Sequence, residues 1–167
     1  RWEKCLCYLD DIIVYGTSFD QAMQNLTIVF ERLRSANLTL KPSKCILFQS
    51  KVSFFGHVVS GEGIQCDPEK IESVINWPVP RNVSDVRSFL GLAGYYRRFI
   101  SDFSTVASPL TYLTRKDKKF SWTPKCQESF EKLKQLLTFS PILSYPDNNP
   151  ENEFILDTDA SLTGIGA

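Results

Sequence analysis

Two adjacent carboxylates, Asp10 and Asp11, stand between apolar, β-prone runs, Cys5-Leu6-Cys7-Tyr8 and Ile12-Ile13-Val14-Tyr15. Asp tolerates tight turns, so Leu9-Asp10-Asp11 is expected at the corner of a strand–turn–strand hairpin. Like charges side by side repel unless a cation compensates them. Mg²⁺ takes hard oxygen ligands, typically one or two carboxylates together with substrate phosphates. The pair therefore suits half of a two-metal phosphoryl-transfer site. A solvated Asp-Asp turn is the competing reading, and four residues alone favour it. A second acidic pair, Asp157 and Asp159, lies in Phe154–Ser161, which reads as a strand. Residues two apart on a strand share a face. The remaining groups with chemical potential are Lys44, the single histidine His57, Arg97-Arg98, and the basic run Arg115, Lys116, Lys118 and Lys119.

The elements that would position these groups follow from pattern. Ser18-Phe19-Asp20-Gln21 fits a capping box, and Ala22, Leu26, Val29, Leu33 and Ala36 recur at helical spacing behind it. Val52 to Val59 is a second β region interrupted by Gly56, and Gly61-Glu62-Gly63 is a turn. Asp67-Pro68-Glu69 starts a helix, with Asp as N-cap and Pro at the first helical position, and Trp77-Pro78 stops it. Val86, Phe89, Leu90, Ala93, Tyr96 and Ile100 form one stripe of what is expected to be the longest helix, capped by Asn82 or Ser84. Its Gly91 and Gly94 suit either close helix packing, the favoured reading, or close approach of a nucleic-acid backbone. Thr123-Pro124 opens another helix with Cys126, Phe130, Leu133 and Leu137 inward, and Tyr145–Pro150 is a linker by composition. Trp77 and Trp122 read as core.

The chain has 167 residues, which at roughly 100–200 residues per domain allows one domain or two small ones. It is 43% hydrophobic and 23% charged, so a sizeable core is expected and wholesale disorder is not. Lys+Arg and Asp+Glu are both 19, a balance that excludes a strongly basic nucleic-acid coat yet leaves room for a local basic face. The apolar stretches are too short and broken for a transmembrane helix, so no membrane partner is expected. Five cysteines without a C-x-x-C pair argue against structural zinc and for reduced, buried thiols in an intracellular protein, cytoplasmic or nuclear. The chain opens on Arg1 rather than Met and closes within a β pattern, which reads as a fragment.

Tyr8-Leu9-Asp10-Asp11 resembles the YxDD signature of reverse transcriptases, and the resemblance continues in register along nearly the whole chain. Lys44-Cys45, after Leu38-Thr39-Leu40-Lys41-Pro42, looks like the next palm motif, and Phe55-Gly56-His57 looks like the primer-grip hairpin. Trp77-Pro78-Val79-Pro80 and the run Arg87 to Ile100 are similar to the thumb of gypsy-type LTR retrotransposon Pol polyproteins. Phe120-Ser121-Trp122-Thr123 and the helix after it look like their connection segment. Thr158-Asp159-Ala160-Ser161 looks like the first strand of their ribonuclease H domain. Motifs in family order are far more specific than any one of them.

The resemblance implies an α+β fold in four parts: the end of a polymerase palm with its primer-grip hairpin over 1–66, a mostly helical thumb over 67–115, a connection and linker over 116–150, and the start of a ribonuclease H-like domain over 151–167. It implies RNA-directed DNA synthesis with attached ribonuclease H, using Mg²⁺ or, in its place, Mn²⁺. The implied partners are an RNA template, a DNA primer, RNA–DNA hybrid, deoxynucleoside triphosphates and the rest of the Pol polyprotein. Asp10 and Asp11 would hold the polymerase metals, and Asp159 a ribonuclease H metal, with Asp157 its neighbour two residues earlier. Tyr8, Phe55, Gly56 and His57 would hold the primer, and Arg97 and Arg98 the phosphates of the duplex. Lys44 would serve the leaving pyrophosphate. Plainer readings stand beside these: a solvated lysine, a β-bulge glycine at Gly56, a hydrogen-bonded structural histidine (favoured over an acid–base role), a solvated basic face. The family also needs a further palm Asp, fingers and later acidic residues that would lie outside residues 1–167. The chain alone is thus expected to be inactive. The alternative is a retroelement-derived protein that binds nucleic acid or a protein without chemistry, or a relic without function.

Overall fold

The computed structural model describes residues 4–116, 118–146, 149, 151, 153, 156, 158–160, 165 and 166, and of 159, 160, 165 and 166 the backbone alone. The fold is mixed α+β and divides into two units, Arg1–Gly61 and Glu62–Ala167.

In the first unit, β1 (Cys5–Tyr8) and β2 (Asp11–Val14) pair antiparallel, with Cys5 opposite Val14 and Tyr8 opposite Asp11. This is the hairpin expected from the alternation of apolar runs and acids. Helix α1 (Phe19–Ser35) follows. Ser18 Oγ accepts from the Gln21 amide at 3.2 Å, as a capping box requires, but the reciprocal bond is shifted by one residue. Gln21 Oε1 accepts from the amide and hydroxyl of Thr17, at 2.6 and 2.8 Å. Asn37, at φ 54°, ends the helix in a left-handed turn, its amide bonded to Arg34 O and that of Leu38 to Leu33 O. The helix ends before Ala36, which leaves that member of the predicted stripe exposed. Strands β3 (Lys51–Phe54) and β4 (His57–Ser60) form a second hairpin with Phe54 opposite His57. The register runs on without a bulge, so Gly56 is a turn residue rather than a bulge glycine.

The second unit opens with β5 (Gly63–Cys66), where only a turn was expected. Ile64 exchanges both backbone hydrogen bonds with Leu143, each at 2.9 Å. Gly63 is indispensable there: its φ is 138° and a Cβ would collide with the Leu143 carbonyl. Helix α2 (Pro68–Ile75) starts at Asp67, whose carboxylate accepts from the Glu69 amide at 3.0 Å. Helix α3 (Val83–Tyr95) starts at Asn82, whose side chain accepts from the Asp85 amide at 2.9 Å. It is not the longest helix, with 13 residues against the 17 of α1. Two glycines weaken its later turns, and Arg97–Phe99 tightens into a 3₁₀ turn that still buries Tyr96 and Ile100. Helix α4 (Phe103–Leu113) was not anticipated, because it contains Pro109. Helix α5 (Pro124–Thr138) packs along it: Ser129 Oγ donates to Val106 O at 2.5 Å, and Cys126 Sγ lies 3.9 Å from Pro109 O.

The predicted inner faces of α3 and α5 are buried in the core of this unit, together with Ala107, Leu110 and Leu113 of the unanticipated α4. Val86, Phe89 and Ala93 of α3 meet Cys126, Phe130, Leu133 and Leu137 of α5. The Phe89 and Phe130 rings lie 4.6 Å apart, with Trp77 and Trp122 packed around them at 6.0 and 5.9 Å. Both tryptophans are therefore core. The expected packing role of the α3 glycines does not hold: a Cβ at Gly91 meets nothing and one at Gly94 only the Phe103 ring at 4.0 Å. Of the cysteines, Cys66 and Cys126 are buried, while Cys7, on an outward position of β1, is exposed. Strands β6 (Asp159–Ala160) and β7 (Ile165–Gly166) pair antiparallel, with Asp159 opposite Gly166. The rest of the strand expected over Phe154–Ser161, Asp157 included, lies largely outside the described residues. Among the described residues no helix is long and apolar enough to cross a membrane.

Candidate active site

The acidic corner is a two-residue turn, Leu9-Asp10, with Asp11 already the first residue of β2. Both carboxylates are exposed. Leu9 sits at φ 51° and is 83% exposed. A left-handed leucine costs on the order of 1 kcal/mol, and here no burial offsets it.

At the other end of the hairpin from the corner, Asn25 makes the tie to α1. Asn25 is buried on α1, and its Nδ2 donates to Tyr15 O at 2.8 Å, tying the end of the hairpin to the helix. Gly16 lets the two approach: a Cβ there would lie 2.5 Å from the Ala22 nitrogen. Neither residue was singled out from sequence. The signal was present for Asn25, a polar residue three after Ala22 and four before Val29 on the apolar stripe.

The second tip is the turn Phe55-Gly56 between β3 and β4. Both residues have positive φ, 48° and 64°, the signature of a type I′ hairpin turn. His57 Nδ1 lies 2.7 Å from the Phe55 carbonyl, so that nitrogen carries the proton and donates. The histidine is thus a hydrogen-bonded residue of the turn. The Phe55 ring sits edge-on to Phe54 at 4.6 Å and edge-on to Tyr8 at 4.6 Å.

The structure therefore brings together Tyr8, Phe55, Gly56 and His57, with Asp10 two residues beyond Tyr8. Lys44 ends the 3₁₀ turn Pro42–Lys44, exposed, and no hydrogen bond joins it to Asp10 or Asp11. Arg97 and Arg98 are exposed in the second unit. There too, Arg115 and Lys118 flank the exposed ring of Tyr112 at 5.2 and 5.3 Å. Asp159 has its backbone in β6, and its side chain lies outside the described residues.

Among the described residues, no three His, Cys, Asp or Glu side chains gather into a metal-binding cluster. Asp10 and Asp11 offer carboxylate oxygens only, exposed and adjacent. That donor set fits a hard divalent cation whose remaining ligands are water and substrate phosphate, and does not fit a closed all-protein cage.

Residues 2–59 match the family described as reverse transcriptase (RNA-dependent DNA polymerase), and residues 122–167 match the RNase H-like domain found in reverse transcriptase. In these two stretches the chain is similar to reverse transcriptases of the kind joined to an RNase H-like domain. Among characterised proteins it is similar to retrotransposon Pol polyproteins. It is 41% identical, over 99% of its length, to the retrovirus-related Pol polyprotein from transposon 297 of Drosophila melanogaster. It is 41% identical over 98% of its length to that from transposon 412 of the same organism. The Tf2-3 polyprotein of Schizosaccharomyces pombe is 35% identical over 97% of the chain. The chain spans 16%, 13% and 12% of these relatives, respectively. Foamy viral protease-reverse transcriptase, solved in complex with double-stranded DNA, superposes with a TM-score of 0.79 at 26% identity, over 86% of this chain and 26% of that one. The same protein solved with RNA/DNA hybrid gives 0.77 at 26% identity, over 86% and 20%.

Proposed function

We propose that this chain supplies part of the active centre of an RNA-directed DNA polymerase with attached ribonuclease H, acting within a longer Pol polypeptide. In this reading 1–66 is the end of the palm, 67–115 the thumb, 116–150 the connection and 151–167 the start of the ribonuclease H-like domain. The observation that carries it is the meeting of the two hairpin tips, the Asp10-bearing one and Phe55-Gly56, through the 4.6 Å contact of Tyr8 with Phe55.

Asp10 and Asp11 hold Mg²⁺, for which Mn²⁺ can substitute. The ion they would hold would supply Lewis-acid chemistry, acidifying the primer 3′-hydroxyl and offsetting the charge that develops on the incoming deoxynucleoside triphosphate. Tyr8 and the Phe55-Gly56 turn bear on the primer terminus, with His57 fixing the turn through its bond to Phe55 O. Lys44 carries positive charge for the departing pyrophosphate. In the second unit Arg87, Gly91, Tyr95 and Arg98 are exposed at helical spacing on α3 and the turn after it. The open space at Gly91 admits a nucleic-acid backbone, and the arginines meet its phosphates. Asp159 begins the ribonuclease H metal site. The natural ligand is a DNA primer on an RNA template and then the RNA–DNA hybrid. Triphosphates and the five unpaired thiols both suit an intracellular compartment.

The test is Mg²⁺-dependent primer extension by a Pol polypeptide carrying this chain. Asp10→Asn is expected to abolish extension while leaving duplex affinity within about threefold, because the lost group acts on the reacting phosphate rather than on binding. Extension by Asp10→Asn at the wild-type rate would falsify the assignment.

A further inference from the structure

The Phe55 side chain is in an unusual place. The first position of a two-residue turn with φ 48° is ordinarily Asn, Asp or Gly, residues that tolerate the left-handed region. Here it is a phenylalanine, 40% exposed, so burial does not explain it. Its ring is instead held from two sides: edge-on to Phe54 at 4.6 Å with planes at 86°, and edge-on to Tyr8 at 4.6 Å with planes at 76°. Its carbonyl is held by His57 Nδ1 at 2.7 Å. Tyr8 in turn is the last residue of β1, directly opposite Asp11 in the ladder. The chain of contacts thus runs from the turn of one hairpin, through two rings, to the backbone pair that closes the acidic turn of the other.

We propose that Phe55 is a positioning residue: its ring braces Tyr8 and so locks the Asp10–Asp11 tip to the Phe55–Gly56 tip as one body. The inference rests on the polymerase reading above. In it the metal-holding carboxylates and the primer-holding turn must keep a fixed separation for the 3′-hydroxyl to reach the metal. Edge-to-face rings suit this task because they are stiff and fix an angle as well as a distance. The ring acts on the reaction through Tyr8 and the hairpin, and touches no reacting atom.

Phe55→Gly removes the ring while suiting the positive φ of the turn, so the hairpin itself is not strained by the change. In primer extension by the longer polypeptide, this variant is expected to lower kcat about tenfold to a hundredfold, as misplacements near 1 Å do, with KM for primer–template changed less than about threefold. Phe55→Tyr keeps the ring and restores kcat. The double variant Tyr8→Ala, Phe55→Gly loses little beyond the larger single loss, because both remove the same contact. A raised KM at unchanged kcat would overturn the proposal and make Phe55 a primer contact alone. A readout that needs no activity is the ring-proton spectrum of Tyr8 in the 167-residue chain. Phe55→Gly should shift those signals away from their ring-current positions, and unchanged signals overturn the brace. Asp10→Asn that still extends primers would sink the polymerase reading while leaving this spectral result standing.

Discussion

Tyr96 sits at the centre of the second unit, 1% exposed, between α3 and the strand that leads into α2. Burial pushes its phenol up to about 12, helped by the nearby Cys66, Asp67 and Tyr95 charges and opposed by a hydrogen bond from the Asp67 backbone. Burial likewise raises the Cys66 thiol. The folded chain thus holds the Tyr96 proton more tightly than the unfolded chain does. Its contribution to stability is whole below pH 10, falls as pH rises from 10, and is gone above about 12. Two pH units correspond to on the order of 2 kcal/mol. Urea unfolding of the wild type and Tyr96→Phe, compared between pH 9 and 12, should show the wild type losing about that much more stability. Parallel slopes for the two proteins would mean that Tyr96 does not ionise on unfolding. At this scale the acidic tip was legible in the sequence, because a turn is a local matter of Asp10, Asp11 and the strands flanking them. The contact of Tyr8 with Phe55 was not, because it depends on the packing of two hairpins far apart in the chain.

Among the elements, starts were easier to read than ends. Ser18, Asp67, Asn82 and Thr123 each cap the helix expected of them, since a cap is a short-range bond from a side chain to an amide two or three residues on. Helix α4 was hidden by Pro109, and it lies against another helix whose Ser129 and Cys126 reach its Val106 and Pro109 carbonyls. Strand β5 starts on the last residue of the expected turn Gly61-Glu62-Gly63, and its bridge to Leu143 lies across the whole helical region, out of reach of local pattern. Gly16 shows the same limit: nothing near it in sequence demands glycine, and the demand comes from the Ala22 backbone. Gly16→Ala forces a Cβ into that backbone and should destabilise the first unit by about 1–3 kcal/mol, the usual cost of overpacking. The side-chain amide of Asn25, bonded to Tyr15 O, reports it: in proton–nitrogen spectra its resonance should move and its exchange with water quicken. An Asn25 signal identical to wild type would show that hairpin and helix can separate without cost.

Stability is unevenly distributed over the molecule, and the proposed polymerase site falls on the weaker part. The hydrophobic core of the second unit joins fifteen buried side chains, from Cys66 to Leu137. In the first unit, among the described residues, Val29 is the buried apolar side chain, while Phe19 and Phe48 touch each other at 66% and 57% exposure. Little apolar area is removed from water there, and at about 25 cal/mol per Å² little free energy opposes local opening. Hydrogen exchange followed by mass spectrometry on the 167-residue chain should therefore find α3, α4 and α5 slow. Peptides covering Cys5–Val14 and Lys51–Ser60 should exchange fast, with rates that differ by orders of magnitude. Equal protection across both units would contradict this and imply a core in the first that these side chains do not form. The carboxylates and the aromatic brace stand on the unit with least core of its own. A ligand that binds only when the two tips are in register stabilises that register by mass action. Adding primer–template and Mg²⁺ to the longer polypeptide should accordingly slow exchange at the two hairpins well before it changes the helices, and Phe55→Gly should blunt that slowing at the Cys5–Val14 hairpin first.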